Sequence, residues 1–467
     1  MSGNLELCRL TIQEAAPLIE RRDISPVELT EAFLERIAEL NPKLSAYVRV
    51  TDDLARVQAA KAEKEIKAGD YKGPLHGAPI ALKDIYDTAG IPTTASSHIH
   101  VDRTPKADAV TTAKLAGAGA VLLGKLTTHE FAFGGPSWDL PTPPARNPWN
   151  TDCFTGGSSS GSGAATAAGL AMATMGSDTA GSIRMPAFFC GIAGLKPTYG
   201  RVSRRGVTPL AFSLDHCGPM TWTVADCALM MNALAGYDAK DPASANVPVP
   251  DYMATLGQGV AGKRIGLIRH FYDGDIKATA PVQDAMAASA KTFADLGAVV
   301  EEVTLPSLQD FHACNFIIML AEAYAIHRET LTATPEKYGE IFRDRMMMAS
   351  LVTGYDYVQA NRMRTQLKAA VDKAFESYDY LITAGGPNPA PELKAMPKFY
   401  VFQNPLLTSP FDVSGHPALG VCNGFSDEGM PVGMQIIGRP FDEAGVLAAG
   451  AAFEAATPYR ATRPMFQ

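Results

Sequence analysis

Residues 155–169, TGGSSSGSGAATAAG, restrict the fold of this chain more than any other stretch. By composition alone, a segment so rich in Gly and Ser is a flexible linker. Here, however, it runs directly into AATAAGLAMATM at 164–175, which is small, apolar and favourable to a helix. Such a helix is most easily buried against a sheet. The sequence therefore predicts that the Gly/Ser turn lies at the N-terminus of a buried helix, where backbone N–H groups favour anions or polarised carbonyls.

A second turn of small residues, GSDTAGSIRMP at 176–186, follows the predicted helix. Ala180, Gly181 and Ser182 let the backbone approach a ligand closely because their side chains are small or absent. Two Ser-bearing tight turns joined by one helix are difficult to explain by packing alone. We therefore expect both turns to contribute to one polar site.

Short apolar runs alternate with helical patterns along the rest of the chain, which is typical of an α/β protein with a largely internal sheet. Two helices are predicted near the N-terminus, capped at Thr11 and at Ser25, and the second is expected to stop at Asn41-Pro42. Later helices are predicted near 109–117, at 281–296 and up to about 456. The predicted strands are 79–84, 120–125, 264–268, 298–303, 378–384 and 431–438.

The composition excludes several classes of protein. The chain has 49 acidic and 41 basic residues and no basic run that could follow a phosphate backbone, so nucleic-acid binding is not expected. Its seven scattered cysteines contain no CxxC pair, which indicates reduced thiols in a cytoplasmic protein. No apolar run reaches the roughly 18 residues of a spanning helix, so no membrane partner is expected. His98 and His100 have no nearby Cys or acidic ligand, and no metal is implied.

The Ser-rich turn admits more than one nucleophile. GSSSG at 157–161 fits the G-x-S-x-G elbow centred on Ser159, with His216 and His416 downstream, but the elbow should follow a strand and a loop is predicted here. Lys83 is another candidate base, because it ends the apolar run GAPIAL and burial would lower its pKa. A lysine at the end of a strand more often extends to water. The residues alone leave the base open.

Several long motifs resemble the amidase signature family. They are GPLHGAPIALKD (73–84), NPWN with GGSSSGSGAATAAG (147–169), GSDTAGSIRMPAFFCGIAGLKPTYGRVSRRG (176–206), SLDHCGPM (213–220) and GMPVGMQIIGRPFDE (429–443). The resemblance implies one compact α/β unit with a large mixed twisted sheet surrounded by helices. In that fold, residues 1–70 would be N-terminal helices packed on a catalytic domain of residues 71–467.

The resemblance also implies a Ser–cis-Ser–Lys triad of Lys83, Ser158 and Ser182, with a cis bond between Gly157 and Ser158. Neutral Lys83 would accept a proton from Ser158, which would deprotonate Ser182 as it attacks an amide carbonyl. The mechanism requires no cofactor and no metal. The oxyanion hole would be formed by the backbone N–H groups of Thr179, Ala180, Gly181 and Ser182.

The surroundings of the triad are less specific. Asp178 and Arg184 flank the second turn and are expected to brace it. Phe131, Phe133 and Trp138 are candidate apolar walls of the substrate pocket, although packing of their loop explains these rings equally well. An apolar or aryl acyl group is one interpretation, and the same acyl-transfer chemistry would accept esters, anilides or carbamates.

Two positions depart from the usual family pattern. Ser160 stands where the family usually has Gly, and Ala180 stands in place of the first Gly of Gly-Gly-Ser. If the backbone at position 180 required a positive φ, the Ala side chain would strain the turn by about 1 kcal/mol or more.

Three functions are compatible with these motifs. The first is a free-standing amidase whose partner is a small-molecule amide. The second is the glutamine-hydrolysing amidase subunit of a tRNA-dependent amidotransferase. The third is a non-catalytic anion-binding protein. Residues 311–345 contain no cluster of Arg or Asp that is identifiable as a site for an amino-acid head group, which favours the first. Many members of the family dimerise, so the resemblance also allows a homodimer.

Overall fold

A mixed β-sheet runs through the centre of the chain, of which a computed structural model describes residues 2–466. The strands are β1 (Tyr47–Val50), β2 (Pro79–Lys83), β3 (Val121–Leu126), β4 (Ala173–Asp178), β5 (Ala193–Lys196), β6 (His216–Thr221), β7 (Arg264–Leu267), β8 (Val299–Glu302), β9 (Tyr380–Ala384), β10 (Ala418–Phe425) and β11 (Pro431–Ile437). Within the described residues they form one eleven-stranded sheet in the order β1-β3-β2-β4-β6-β5-β10-β11-β9-β7-β8. The predicted fold class, one α/β unit with a large mixed sheet, is confirmed.

Helices cover this sheet. They are α1 (Ser2–Leu7), α2 (Ile12–Glu20), α3 (Pro26–Leu44), α4 (Asp52–Lys67), α5 (Val110–Gly117), α6 (Ser160–Ala168), α7 (Arg184–Cys190), α8 (Val224–Leu234), α9 (Ala280–Asp295), α10 (Leu308–Ala333), α11 (Glu340–Ala349), α12 (Gly354–Ala374), α13 (Tyr400–Gln403), α14 (Ser409–Val413) and α15 (Glu443–Ala455). Among residues 2–466, none of the helices combines the length and the apolar character needed to cross a membrane.

The strand order brings the two sequence motifs together. Strand β2 pairs in parallel with both β3 and β4, and Leu82 is in register with Met175. The carboxyl ends of parallel neighbours lie at the same edge of a sheet. Lys83, the last residue of β2, therefore lies beside the turn that follows β4 at Asp178.

The predicted strands all occur, with ends that differ by one or two residues, and both predicted helix caps are present. Thr11 forms a reciprocal capping box with Glu14, and the Ser25 side chain accepts hydrogen bonds from the first turn of α3. The predicted stop at Pro42 is wrong, because α3 continues to Leu44. Leu44 is fully buried, and we attribute the extra residues to that packing, which outweighs the one backbone hydrogen bond that Pro42 cannot donate.

The helix expected over 164–175 is shorter and starts earlier than predicted. Helix α6 begins at Ser160, all of its residues are buried, and it ends where Gly169 adopts a left-handed φ of 67°. Residues from Ala173 onward form strand β4. Gly169 terminates the helix because glycine takes this conformation without steric cost. The first 70 residues, expected to be helical, also supply strand β1, which pairs with β3.

Candidate active site

Lys83 is completely buried at the end of β2, with its amine among three hydroxyl groups. Its Nζ lies 2.7 Å from Ser158 Oγ, 2.8 Å from Ser177 Oγ and 3.0 Å from Ser159 Oγ. Burial lowers the pKa of Lys83 to about 7, although Asp178 and Asp215 act in the opposite direction. A neutral amine has two N–H donors and one lone pair, which matches three hydroxyl neighbours. The geometry is that of a base which accepts a proton from one hydroxyl and donates to the other two.

Ser158 lies at the start of the buried turn and follows Gly157 through a cis peptide bond, as the family resemblance predicted. Its neighbour Ser159 is fully buried, accepts a hydrogen bond from the Ser177 backbone N–H and donates one to the Ser177 carbonyl. The nucleophile-elbow interpretation requires an exposed Ser159 after a strand. Ser159 is buried and follows a loop, so this interpretation is wrong.

Ser182 lies in the turn after β4 and lines the same cavity as Ser158. It is partly exposed, whereas Ser158 is 2% exposed and Lys83 is fully buried. Of these three residues, only Ser182 is therefore open to a substrate. The structure thus brings Lys83, Ser158 and Ser182 into one connected site, with accessibility increasing from the lysine outward.

The turn from Thr179 to Ser182 is held by side chains from distant parts of the chain. Asn315 on α10 donates to the Thr179 carbonyl, and the Thr179 hydroxyl donates to Asp215. The Thr408 hydroxyl donates to the Ala180 carbonyl at 2.5 Å. A carbonyl that accepts such a hydrogen bond is held in place, and the N–H group in the same peptide plane is then fixed in direction. Preorganised stabilisation of an oxyanion requires N–H groups fixed in this way.

One predicted oxyanion donor is already occupied. The Gly181 N–H donates to Asp178 Oδ1 at 2.6 Å, and Gly181 has a positive φ of 130°. Gly181 is therefore corrected from an oxyanion donor to an anchor of the turn. The N–H groups of Thr179, Ala180 and Ser182 remain as the proposed donors.

Asp178 and Arg184 lie beneath this turn and are both fully buried. Asp178 accepts hydrogen bonds from the backbone N–H groups of Gly181, Ile183 and Arg184, and it also pairs with the Arg184 guanidinium at 2.9 Å. These contacts are those of the bracing role expected from the sequence.

Phe131, Phe133 and Trp138 occupy three different environments. Phe133 lines the cavity beside Ser182, together with Phe316, Met319 and Leu406. Phe131 instead packs into a buried ring cluster with His327, Tyr338 and Phe342, and Trp138 is 52% exposed beneath Arg146. Neither Phe131 nor Trp138 lines the cavity beside Ser182, so both are corrected from pocket walls, Phe131 to a packing residue and Trp138 to a half-exposed surface residue.

Arg345, on α11, is a functional candidate that was not predicted from the sequence. It lines the cavity and is 1% exposed. Its guanidinium donates to the carbonyls of Phe133 and Lys398 through three of its five N–H groups. Among the described residues no carboxylate pairs with it, and burial lowers its pKa. A signal existed in the sequence, because Arg345 falls on the same helical face as Phe342, Met346 and Ala349.

His129 closes the other side of the cavity. Its ring stacks on Phe154, and its Nε2 has no hydrogen-bond partner among residues 2–466. Burial lowers the pKa of His129 well below its ordinary value, so the ring is neutral. A Cβ at position 157 would lie 2.0 Å from this ring, which explains why Gly157 precedes Ser158.

A second, larger cavity adjoins the one at Ser182. The two share Ala132 and Leu210, and the second reaches Ser177, whose hydroxyl contacts Lys83. The site therefore has two compartments, one next to Ser182 and one next to the base.

Comparison with known proteins decides the family. The family model described as Amidase matches residues 28–447. The chain belongs to the amidase signature family. It is accordingly an amidase, a hydrolase that acts on carbon–nitrogen amide bonds.

Individual amidase signature proteins align over almost the whole chain. A glutamyl-tRNA(Gln) amidotransferase subunit of Geobacter metallireducens is 41% identical over 482 residues, which cover 97% of this chain and 99% of the relative. A solved structure described as a vestigial protein complex that reveals the origins of an s-triazine catabolic enzyme has a TM-score of 0.90 and 32% identity, covering 96% and 98% of the two chains. A bacterial aryl acylamidase has a TM-score of 0.87 and 29% identity, covering 98% and 99%.

These relatives overturn one prediction. From the sequence we expected partners that do not include nucleic acid, whereas curated relatives covering nearly the full length are subunits of an amidotransferase named for glutamyl-tRNA(Gln). The prediction is wrong because it rested on the charge of this chain alone. In an assembly, the basic surface that contacts a phosphate backbone can belong to another subunit.

The two departures from the amidase signature pattern are accommodated by the local backbone. Ala180 is not among the residues with positive φ, and Gly181 takes that conformation instead. The strain considered for Ala180 is therefore absent. Ser160 is the first residue of α6, and its hydroxyl donates to the Thr127 carbonyl at 3.3 Å.

Proposed function

We propose that this amidase hydrolyses the side-chain amide of glutamine as the amidase subunit of a tRNA-dependent amidotransferase, with Ser182 as nucleophile. The chemistry rests on one observation: the buried Lys83 amine lies 2.7 Å from Ser158 Oγ, and Ser158 lines the same cavity as Ser182. The subunit role rests on the relatives that are 39–41% identical and carry that name.

In this proposal the reaction begins with two proton transfers. Neutral Lys83 accepts the Ser158 proton while Ser158 accepts the proton of Ser182, and Ser182 Oγ attacks the amide carbon. The carbonyl oxygen takes up the negative charge and receives hydrogen bonds from the turn after β4. One correctly placed N–H donor contributes on the order of 3 kcal/mol of transition-state stabilisation.

The same groups then complete the turnover. Ser158 returns a proton to the amide nitrogen, the carbon–nitrogen bond breaks, and ammonia leaves an ester on Ser182. Water attacks this ester and gives a proton to Ser158, whose own proton passes to Lys83. As the Ser182–acyl bond breaks, Ser158 protonates Ser182 Oγ and recovers a proton from Lys83, and the carboxylic acid leaves. Protons and charge balance over the cycle without a cofactor.

Arg345 supports a substrate that carries a carboxylate. A buried guanidinium whose partners are carbonyls and the Tyr400 side chain, with no carboxylate among the described residues, is costly, and an anionic substrate group would lower that cost. Glutamine bears such a carboxylate at the end opposite its amide. Arg345 would then hold the head group while the amide lies against Ser182.

The first experiment measures ammonia release from glutamine and maps the nucleophile. We expect a fluorophosphonate probe to modify Ser182, and we expect Ser182→Ala to lose several orders of magnitude in kcat. Ser160→Ala is the matched control, since its hydroxyl donates to the Thr127 carbonyl and not to a member of the triad. Modification of Ser159 or an active Ser182→Ala variant would refute the proposed mechanism.

The second experiment tests the substrate class and the partner. Arg345→Gln should raise KM for glutamine at least about 10-fold more than KM for a neutral amide, because loss of the hydrogen bond to the Phe133 carbonyl affects both substrates and only glutamine places a carboxylate there. Co-expression with candidate partner subunits should yield a stable complex with higher glutaminase activity. If the purified chain prefers neutral amides in every assembly, the glutamine assignment fails.

A second candidate function follows from the walls of the cavity. Phe133, Phe316, Met319 and Leu406 are apolar, and the cavity lining within residues 2–466 contains no carboxylate that could hold the ammonium of an amino acid. These features favour a free-standing amidase for apolar or aryl amides, and an aryl acylamidase is among the structural relatives. The ratio of kcat/KM for an anilide to that for glutamine distinguishes the two functions.

We also propose a reducing compartment, the cytoplasm, for either function. The seven cysteines are all free in the structure, which fits that compartment better than an oxidising one.

A further inference from the structure

A cluster of buried charged and titratable groups lies beneath the turn that carries Ser182. Asp178, Arg184 and Asp412 have fully buried side chains, and the two carboxyl groups share the same guanidinium nitrogen, Arg184 Nη2. His216 lies beside them, with its Nδ1 3.2 Å from the Asp178 carbonyl and 3.5 Å from Asp412 Oδ1.

The Arg184 guanidinium has no hydrogen-bonding capacity left. Nε and one Nη2 proton bind Asp178, the other Nη2 proton binds Asp412 Oδ2 at 2.5 Å, and Nη1 donates to the Thr408 carbonyl and to Gln435 Oε1. These contacts use all five N–H groups. One positive charge therefore faces two carboxyl groups whose side chains are fully buried.

The two carboxyl groups are not equivalent. Asp178 accepts five hydrogen bonds, three of them from the backbone of the turn. Asp412 Oδ1 receives no hydrogen bond from any described residue. A carboxylate oxygen in that position would carry unpaired buried charge, whereas a carboxylic acid can donate its proton to the neighbouring carboxylate.

We propose that Asp412 is a positioning residue that works as a neutral carboxylic acid: it donates to Asp178, holds Arg184 and so fixes the turn that carries Ser182. The inference rests on Ser182 as the nucleophile and is independent of the substrate. Loss of the proton would place two negative charges against one guanidinium. The turn would then lose its alignment while the cavity walls stay in place.

The other charged groups around Asp412 are consistent with this state. Burial and the Asp178 charge raise the pKa of Asp412 well above its ordinary value, whereas Arg184 holds that of Asp178 below its ordinary range despite burial. Burial lowers the pKa of Lys196 to about 7, and burial together with Lys196 keeps His216 neutral. Arg364 of α12, which donates to the Val413 carbonyl, is a further charged side chain near α14.

The test compares Asp412→Ala with Asp412→Asn. We expect Asp412→Ala to lower kcat on the order of 10- to 100-fold with less than about a twofold change in KM, because the turn and not the substrate wall is affected. Asp412→Asn keeps a neutral donor of the same shape and should restore most of kcat. Its activity should also persist at alkaline pH, where that of the wild type falls as Asp412 ionises.

Infrared spectroscopy gives a readout that does not depend on activity. At about pH 8 the wild type should show the C=O stretch of a protonated carboxylic acid, and this band should be missing in Asp412→Asn. Asp226→Asn is the matched control, since Asp226 is also buried but binds the backbone N–H groups of Ile12 and Gln13 away from the site. The pKa of Asp226 is about 6, so Asp226 is ionised at pH 8 and does not contribute to the band. The Asp226→Asn variant should therefore retain it.

Each outcome bears on the proposal. If Asp412→Asn is as impaired as Asp412→Ala and the spectra do not differ, Asp412 is ionised and the proposal is wrong. Wild-type kcat in Asp412→Ala would also overturn it. If Asp412→Ala does not fold, the Asn variant and the infrared band still decide. Failure of the nucleophile assignment is recognised separately, by activity in Ser182→Ala.

Discussion

Lys83 Nζ lies 2.7 Å from Ser158 Oγ, and two further hydroxyls complete the surroundings of the amine. A protonated lysine would need a compensating carboxylate in a site this deeply buried. A neutral lysine needs only the two acceptors and one donor that Ser177, Ser159 and Ser158 provide. The contact thus explains how a lysine can serve as a base near neutral pH.

The first prediction concerns pH. Burial lowers the pKa of Lys83 to about 7, so below that pH the amine is protonated and cannot accept the Ser158 proton. We therefore expect kcat to rise as pH increases through about 7, with one proton lost. Lys83→Met should reduce kcat by several orders of magnitude at every pH. A rate that does not change between pH 5 and pH 8 would contradict the role of Lys83.

The second prediction concerns Gly157. A methyl group at this position would lie 2.0 Å from the His129 ring, so Gly157→Ala must displace either the ring or the Ser158 backbone. We expect a loss of at least about 100-fold in kcat, because a small displacement of a reacting group has effects of this size.

The control for Gly157 is Gly117→Ala. A Cβ at Gly117, at the end of α5, would meet no atom of the described chain within 4 Å. This variant should keep full activity and raise the free energy of unfolding by up to about 1 kcal/mol. Equal activity of the two variants would show that Gly157 does not need to be a glycine.

The third prediction separates Phe133 from Phe131. Phe133 lines the cavity, so Phe133→Ala should change the ratio of kcat/KM between bulky and small amides. Phe131 packs against His327 and Phe342, so Phe131→Ala should lower the free energy of unfolding by about 3–5 kcal/mol and leave that ratio unchanged. Chemical denaturation and substrate profiles of both variants check this. The assignment is wrong if the selectivity changes with Phe131 and not with Phe133.

The fourth prediction concerns the turn after β4. Ala180 has no positive φ, so Ala180→Gly should change kcat less than about threefold. Gly181→Ala should abolish activity, since a Cβ there would lie 2.2 Å from Thr408 Oγ1 and φ is 130°. Steady-state kinetics of both variants decide. A large gain in Ala180→Gly would show that the alanine does strain the site.

The triad could be proposed from sequence because its motifs are long and local. The predicted strand ending at Lys83 and the two small-residue turns are all short-range features, and the parallel pairing of β2 with β4 brings them together. The end of α6 could also have been predicted, because a glycine such as Gly169 commonly terminates a helix. That signal is easily overlooked because the residues after Gly169 are as small and apolar as those before it.

The pocket could not be predicted to the same degree, because it depends on contacts between distant segments. Phe131 and Phe133 are two residues apart and equally apolar, yet the φ of 44° at Phe131 turns its ring away from the cavity. Thr408 reaches Ala180 across 228 residues, and Asn315 reaches Thr179 across 136. No local pattern records such pairings.

The positions of these residues along the chain suggest how amidases of this kind diversify. Lys83, Ser158 and Ser182 fall within one hundred-residue segment, whereas Phe316, Arg345 and Leu406 belong to a later one. Much of the cavity wall is thus encoded apart from the three proposed reacting residues, but the later segment also supplies Asn315 and Thr408, which hold the turn that carries Ser182. Point substitutions at wall positions of the later segment can therefore reshape the cavity, whereas exchange of the whole segment would also replace the residues that hold the turn.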